Sequence, residues 1–259
     1  MGTIAGHVAL VTGASRTVGI GHATARSLAS AGADVFITYY RPYDGVSGLA
    51  GEKNEPDRLV TELRGLGVRA DGLEFDLADP AAPAAVFETA QAAIGPVSIL
   101  VNNATYSLND TIETLTADLL DKHYAVNLRG MALMCREFVL RYKAAALKSG
   151  RIINLSSGQS QGPMVGELAY VATKGAVEAF TVSLSAEIGQ LGITVNAVNP
   201  GITDTGWIPP DLKEKWENSS PHGRVGLPDD AARAIAFLAS QEANWITGQV
   251  IHSTGGVRG

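Results

Sequence analysis

This sequence predicts a single α/β domain in which helices cover both faces of a doubly wound parallel sheet. Three observations predict it. Short β-branched runs alternate with alanine-rich helical stretches along all 259 residues. A glycine-rich turn follows the first such run and leads into the first helix, the context in which a glycine motif has meaning. No internal repeat, low-complexity tract or composition break divides the chain, so the domain is read as residues 1–259.

Composition narrows the partners. Apolar residues make up 46% of the chain, enough for a sizeable core, and the net charge is −6 with a pI near 5.4. Without a basic block, nucleic acid is not expected as a partner. No apolar run reaches the ~18 residues that span a bilayer, so no membrane partner is expected either. The stretch Met1 to His7 lacks a charged and then apolar leader, and the expectation is a cytoplasmic protein. Cys135 is the only cysteine and lies among apolar residues, so it reads as a small core side chain. His7, His22, His123, His222 and His252 are scattered without ligand spacing, and no metal site is expected.

Taken in order, His7 to Thr12 reads as a buried parallel strand. The turn Gly13-Ala14-Ser15-Arg16-Thr17-Val18-Gly19-Ile20-Gly21 follows, then a helix from His22 to Ala31 closed by Gly32. Such glycines let a backbone approach a pyrophosphate, and the helix amino end offers free N–H groups and a positive dipole. The second strand, Asp34 to Tyr40, carries no acid at its end, and Arg41 stands about twenty residues past the last motif glycine. An arginine there suits a 2′-phosphate, and Arg16 can reach the same group. The pair points to NADP, with NAD as the alternative.

Arg41 to Pro56 reads as an extended loop, long for its place between strand and helix. Asp57 to Gly65 reads as a helix, and Gly67 to Phe75 leads to a third strand. Asp76 then stands where a strand end meets an adenine, or it caps the helix that begins near Pro80. Ala81 to Ile94 is helical, and Val97 to Val101 is another buried strand. Asn102, Asn103 and Ala104 follow at its carboxyl end, where open parallel sheets bind ligands; turn formation is the simpler role.

Thr116 to Lys148 has helical periodicity with a break near Gly130. Asn127 falls inside it, and a buried amide there must bond backbone or a water leading to Lys174. Arg151 to Leu155 is a strand, Leu168 to Ile188 a helix, and Thr194 to Val198 a sixth strand that runs into Asn199-Pro200-Gly201-Ile202-Thr203-Asp204-Thr205. The segment 202–226, polar from Trp207 onward with Pro209, Pro210 and Pro221, reads as a lid over substrate. A helix from Pro228 to Ala239 and a last strand from Trp245 to His252 complete the alternation.

The chemistry concentrates in the helix Leu168 to Ile188. Tyr170 and Lys174 are four residues apart, which puts phenol and ammonium on one face, a turn apart. Ser157 lies thirteen residues before Tyr170, just past the strand ending at Leu155. A free phenol titrates near ~10 and is a poor base at neutrality; a nearby positive charge, from Lys174 or an oxidised nicotinamide, lowers that value. Tyr170 therefore reads as a general acid/base toward a carbonyl or alcohol oxygen, and Ser157 as the hydroxyl that holds that oxygen. On most helices such a pair is a half-buried ring and a solvated amine, so the surrounding motifs decide.

Read together, the glycine turn, Asp76, Asn102-Asn103-Ala104, Asn127, Ser157, Tyr170-x-x-x-Lys174, Asn199-Pro200-Gly201 and the final Gly255-Gly256 resemble the short-chain dehydrogenase/reductase family over essentially the whole chain. The resemblance implies a Rossmann fold, a nicotinamide cofactor and a homotetramer or homodimer. It implies Tyr170 as the acid/base, Lys174 on the nicotinamide ribose, Ser157 orienting the carbonyl and Asn127 anchoring a proton-relay water. Cofactor-binding positions of the family match Gly13, Ser15, Arg16, Gly19, Ile20, Gly21, Arg41, Asp76, Leu77, Asn103 and Ala104. They also match Pro200, Gly201, and, at positions that contact the carboxamide and phosphates, Ile202 and Thr205.

Two departures stand out. Gly13 and Gly19 have five residues between them, two more than the family's usual turn. Thr105 replaces the glycine usual after Asn-Asn-Ala, and its side chain is expected to crowd the cofactor. The chain is most similar to 3-oxoacyl-carrier-protein reductases, which implies NADP-dependent reduction of a ketone or 3-oxoacyl thioester. An NAD-dependent alcohol, sugar or steroid dehydrogenase is the alternative. A non-catalytic dinucleotide-binding sensor is a remote one, because such proteins tend to lose the Tyr/Lys pair. Enoyl reductases of the superfamily space that pair more widely.

Overall fold

A computed structural model of the chain describes residues 4–46, 48–49 and 51–257. Seven strands form one parallel sheet: β1 (Val8–Val11), β2 (Asp34–Tyr39), β3 (Ala70–Glu74), β4 (Ile99–Asn102), β5 (Gly150–Leu155), β6 (Ile193–Asn199) and β7 (Val250–His252). Their order is β3-β2-β1-β4-β5-β6-β7, with Val11 beside Val101, Asn102 beside Asn154 and Leu155 beside Val198. The chain builds outward from β1 to β3, then returns to lay β4 on the other side of β1. That reversal opens a crevice at the carboxyl ends of β1 and β4, where ligands bind in such sheets.

The helices are α1 (Ile20–Ser30), α2 (Arg41–Val46), α3 (Glu55–Gly65), α4 (Ala82–Ala93), α5 (Ala117–His123), α6 (Met131–Ala144), α7 (Leu168–Ile188), α8 (Pro210–Ser219) and α9 (Pro228–Ala239). Alternation along each strand sorts the core into two layers. In β1, Ala9 and Val11 pack with Leu28 of α1, Leu59 and Leu63 of α3 and Ile235 and Leu238 of α9. Val8 and Leu10 face the other way, toward Val86 and Phe87 of α4, Met134 and Phe138 of α6 and Val177 of α7. Cys135 belongs to this second layer, fully buried, and burial pushes its thiol up to about 12. Among the described residues, no helix is long and apolar enough to cross a membrane.

Four stretches differ from their sequence reading. Residues 41–56, read as a loop, begin with the six-residue helix α2 and end with the first two residues of α3. So short a helix is marginal alone; here Asp44 anchors it, its carboxylate accepting from the Ser15 hydroxyl at 3.0 Å. The stretch from 116 to 148 does not break at Gly130. A π-helical segment, Tyr124–Gly130, joins α5 to α6, and Gly130 sits where an added Cβ would stand 2.7 Å from the Leu77 carbonyl oxygen. The segment 202–226 contains α8 rather than irregular chain alone. The last strand is only Val250–His252.

α7 is held at its amino end by another part of the chain. The buried Asp110 carboxylate accepts from the N–H groups of Leu168 at 2.5 Å and Ala169 at 2.9 Å, while the Asp110 N–H donates to the Gly166 carbonyl at 2.8 Å. A carboxylate there satisfies orphan donors and meets the positive end of the helix dipole. Asp110→Ala should therefore cost about 1–2 kcal/mol and lower the thermal midpoint by roughly 3–6 °C, read by calorimetry.

Candidate active site

The crevice holds a cavity of about 1410 Å³. At one end lie the glycine turn and the start of α1. Gly13 has φ +74°, and a Cβ there would stand 2.7 Å from Ala104 Cα. A Cβ on Gly21 would stand 2.5 Å from the Gly13 oxygen and 2.7 Å from Asn103 Nδ2. The turn thus packs backbone to backbone on the end of β4, which only glycine permits. Asn103 secures it, Nδ2 donating to the carbonyls of Thr12 at 2.9 Å and Gly13 at 3.0 Å. The Thr12 hydroxyl accepts from the N–H groups of Asn103 and Ala104, each at 3.0 Å. At the head of α1, Gly19 gives no side-chain cap, the first turn has no acid, and Gly19 and Ile20 both line the cavity. Uncapped N–H groups with a positive dipole fit the diphosphate of a dinucleotide.

The two extra turn residues are absorbed by a tight bend, Gly19 N–H to Arg16 carbonyl at 2.9 Å. The bend is clasped by acids from the 41–56 stretch. Glu55 accepts from the Thr17 N–H, and Asp44 accepts from Ser15. Arg16 Nε lies 3.9 Å from Asp44 Oδ1 and Arg41 Nε 3.8 Å from Asp44 Oδ2. Burial raises the Asp44 pKa, opposed by the Ser15 bond and the two arginines. Arg16 lines the cavity and spans it, Nη1 donating to the Thr205 carbonyl at 2.9 Å. Arg41 instead donates to the carbonyls of Glu52 at 2.6 Å and Gly51 at 3.1 Å. Tyr43 also crosses the crevice: its hydroxyl donates to the Ser107 carbonyl at 3.1 Å and accepts from the Ser107 N–H at 2.9 Å. Sequence reasoning missed Tyr43, Asp44 and Glu55, because a stretch without periodicity carries no signal of what it touches.

Asp76 and Leu77 line the cavity near the end of β3. Asp76 does not cap α4; it accepts from the Ala78 N–H at 2.8 Å, and α4 starts only at Ala82. Thr205 and Trp207 line the wall on the 202–226 side, whereas Pro200, Gly201 and Ile202 follow directly on β6 and do not line the cavity. The Ile202 carbonyl accepts from the Gly226 N–H at 2.9 Å, which closes the 202–226 segment into a stem.

At the other end stands Tyr170, with its ring on the cavity wall. The Ser157 and Thr105 hydroxyls act on the titration of its phenol, and the Ser157 hydroxyl itself donates to Met164 Sδ at 3.8 Å. Lys174 is buried one turn on, its ammonium donating to the Leu155 carbonyl at 2.7 Å and lying 5.4 Å from the centre of the Tyr170 ring. The expected downward pull of Lys174 on the phenol is not what governs it. Surrounding protein pushes Tyr170 up to about 12; the Ser157 and Thr105 hydroxyls oppose that rise, and Glu167 and Tyr43 add to it. The same burial pushes Lys174 down to about 8.

Asn127 enters from the π segment, fully engaged by protein. Its Oδ1 accepts from the Tyr106 N–H at 2.7 Å and the Thr105 hydroxyl at 3.0 Å. Its Nδ2 donates to the Tyr106 carbonyl at 2.9 Å and the Thr173 hydroxyl at 3.1 Å. The amide thus bonds the Tyr106 backbone and two threonine hydroxyls. Among the described residues, no cluster of His, Cys, Asp or Glu could hold a metal ion.

A parallel sheet of this order, an uncapped helix end at its crevice and a Tyr/Lys/Ser group across from it define a nicotinamide-dependent oxidoreductase. Residues 13–258 match a family described as enoyl-(acyl carrier protein) reductase. An uncharacterised oxidoreductase, YjdA, of Bacillus subtilis is 49% identical over 253 residues, 97% of each chain. The 3-oxoacyl-[acyl-carrier-protein] reductase FabG of Aquifex aeolicus is 35% identical, again over 97% of each. A blue fluorescent protein from a metagenomic library, solved with NADPH, superposes with a TM-score of 0.87 at 33% identity and 98% coverage of both chains. This chain belongs to the short-chain dehydrogenase/reductase family.

Because a Cβ at position 21 would stand 2.5 Å from the Gly13 carbonyl oxygen and 2.7 Å from Asn103 Nδ2, while one at Gly19 meets the Arg16 carbonyl oxygen at 3.0 Å, the two glycines should respond differently. Gly21→Ala is expected to lose about 1–3 kcal/mol of stability and most dinucleotide binding, and Gly19→Ala less of both. Thermal melting and fluorescence titration with NADPH check this.

Proposed function

We propose that this protein reduces a small-molecule ketone or 3-oxoacyl thioester to the alcohol with NADPH, Tyr170 acting as general acid. One observation carries the reading: Tyr170 lies on the wall of the cavity whose far end is the uncapped start of α1. When bound, the nicotinamide would supply the hydride that the carbonyl carbon receives and, once oxidised, a positive charge. Ser157 holds the carbonyl oxygen and polarises it. Tyr170 gives that oxygen its proton, and the phenolate left behind is stabilised by Ser157 and by the Lys174 ammonium one turn away. Lys174, held by the Leu155 carbonyl, would be the residue that bonds a ribose hydroxyl of the cofactor. Tyr170 and Lys174 with three residues between them, and the 3-oxoacyl reductase among the relatives, support carbonyl over enoyl reduction despite the matched family's description.

NADP is favoured by Arg16 on the cavity wall and by the NADPH held in the similar structure. The competing choice, NAD, has Asp44 on its side, since a buried carboxylate beside Arg16 and Arg41 accepts from ribose hydroxyls and repels a 2′-phosphate. Arg16→Ala should weaken NADPH binding by about tenfold or more while sparing NADH, and Asp44→Asn should tighten NADPH. Equal effects on the two cofactors, measured by fluorescence titration, would remove the 2′-phosphate assignment.

A panel of ketones, 3-oxoacyl thioesters and alcohols, followed by absorbance of the reduced nicotinamide, tests the activity. Tyr170→Phe is expected to lose about two to four decades in rate with cofactor binding nearly intact; retained turnover would end this reading. The pH dependence has a definite sign. The phenol, up near about 12, keeps its proton through the neutral range, whereas Lys174 is charged only below about 8. Reduction should therefore hold level up to about pH 8 and fall above it as Lys174 loses its charge.

A further inference from the structure

Residues 105–108 line the cavity at its reacting end, on the same cavity as Tyr170. This run belongs to no helix or strand, so side chains from elsewhere must satisfy its backbone. Asn127, from the π segment, takes both groups of Tyr106, accepting from the N–H at 2.7 Å and donating to the carbonyl at 2.9 Å. The Thr105 side chain, expected to crowd the cofactor, donates its hydroxyl to the same amide at 3.0 Å. His123 of α5 accepts from the Leu108 N–H at 3.3 Å. Ser107, between them, is held by Tyr43, whose hydroxyl donates to its carbonyl at 3.1 Å and accepts from its N–H at 2.9 Å. Among the described residues, nothing else bonds either of these two backbone groups.

Tyr43 differs from the other two holders in where it comes from. Asn127 and His123 belong to helical segments that follow the wall in the chain. Tyr43 belongs to α2, just past β2, and β1 separates β2 from β4 in the sheet. Its bond to Ser107 therefore reaches across the crevice. The next residue, Asp44, accepts from Ser15 of the glycine turn and lies between Arg16 and Arg41. One six-residue helix thus clasps the turn at one end of the cavity and grips the wall at the other. Ring contacts continue the line: 5.2 Å between the centres of Tyr43 and Tyr106, 5.0 Å from Tyr106 to His123, and 6.5 Å from His123 to Tyr170.

We propose that Tyr43 is a positioning residue for the reduction: its hydroxyl, carried by the helix that clasps the glycine turn, holds Ser107 and with it the wall against which the substrate carbonyl meets Tyr170. Two bonds to one residue fix both the place and the tilt of the wall. Without them both Ser107 groups must turn to water, and a displacement of about 1 Å at a reacting centre can cost about a hundredfold in rate. The inference rests on the reading of Tyr170 as proton donor.

Tyr43→Phe keeps the ring beside Tyr106 and removes both bonds. Tyr43→Met, whose flexible side chain fills similar space, is added so that poor folding of one leaves the other. Hydrogen–deuterium exchange, read by mass spectrometry on the peptide that contains Ser107, should quicken about tenfold or more in both variants, with α7 exchanging as in wild type. At saturating NADPH, kcat for the fastest ketone of the panel should fall about tenfold, while the Kd for NADPH stays within about threefold. Unchanged exchange at Ser107 in both variants would overturn the role. So would full kcat despite faster exchange, or a loss that lies wholly in the NADPH Kd. The exchange measurement needs no turnover, and Tyr170→Phe judges the underlying reading separately: turnover there removes the proton donor, whatever Tyr43 does to the wall.

Discussion

The bond from the Lys174 ammonium to the Leu155 carbonyl ties α7 to the end of β5, and the site takes its position from it. A buried ammonium must find acceptors, and this one finds a main-chain oxygen at the carboxyl edge of the sheet. That contact sets the rotation of α7 about its axis. Tyr170, one turn earlier on the same face, is thereby brought to the cavity wall beside Ser157. Asp110 sets the helix along its axis by holding the first two N–H groups. Two long-range contacts of different chemistry thus fix both coordinates of one phenol.

One cause, burial, moves the two groups toward each other, the phenol upward and the amine downward. Desolvation penalises the charged form of each, so burial alone favours the neutral phenol and the neutral amine. The Ser157 and Thr105 hydroxyls work against the phenol's rise.

The opposite end of the crevice is organised by acids rather than by bases alone. Asp44 and Glu55 clasp the widened glycine turn, and Asp44 sits between the two arginines that the sequence offers to a 2′-phosphate. Arg16 to Thr205 and Tyr43 to Ser107 then run across the opening. Cofactor choice at this end is a balance of one carboxylate against two guanidiniums, not a property of either arginine by itself.

The alternation of strand and helix, the glycine turn, and Tyr170 and Lys174 on one helix face were all legible in the sequence. Each is a local pattern: periods of two and 3.6, a glycine where a Cβ cannot fit, a spacing of four. What the sequence left open lies in contacts between distant segments. The clasp of Ser15 by Asp44 spans 29 positions and the hold of Asp110 on Leu168 spans 58. The π segment that carries Asn127, the bond of the Thr105 hydroxyl to that amide, and the dominance of burial over Lys174 in setting the phenol are likewise outcomes of packing. No periodicity encodes them, because which groups meet and how much water they lose is decided only when the layers close on the sheet.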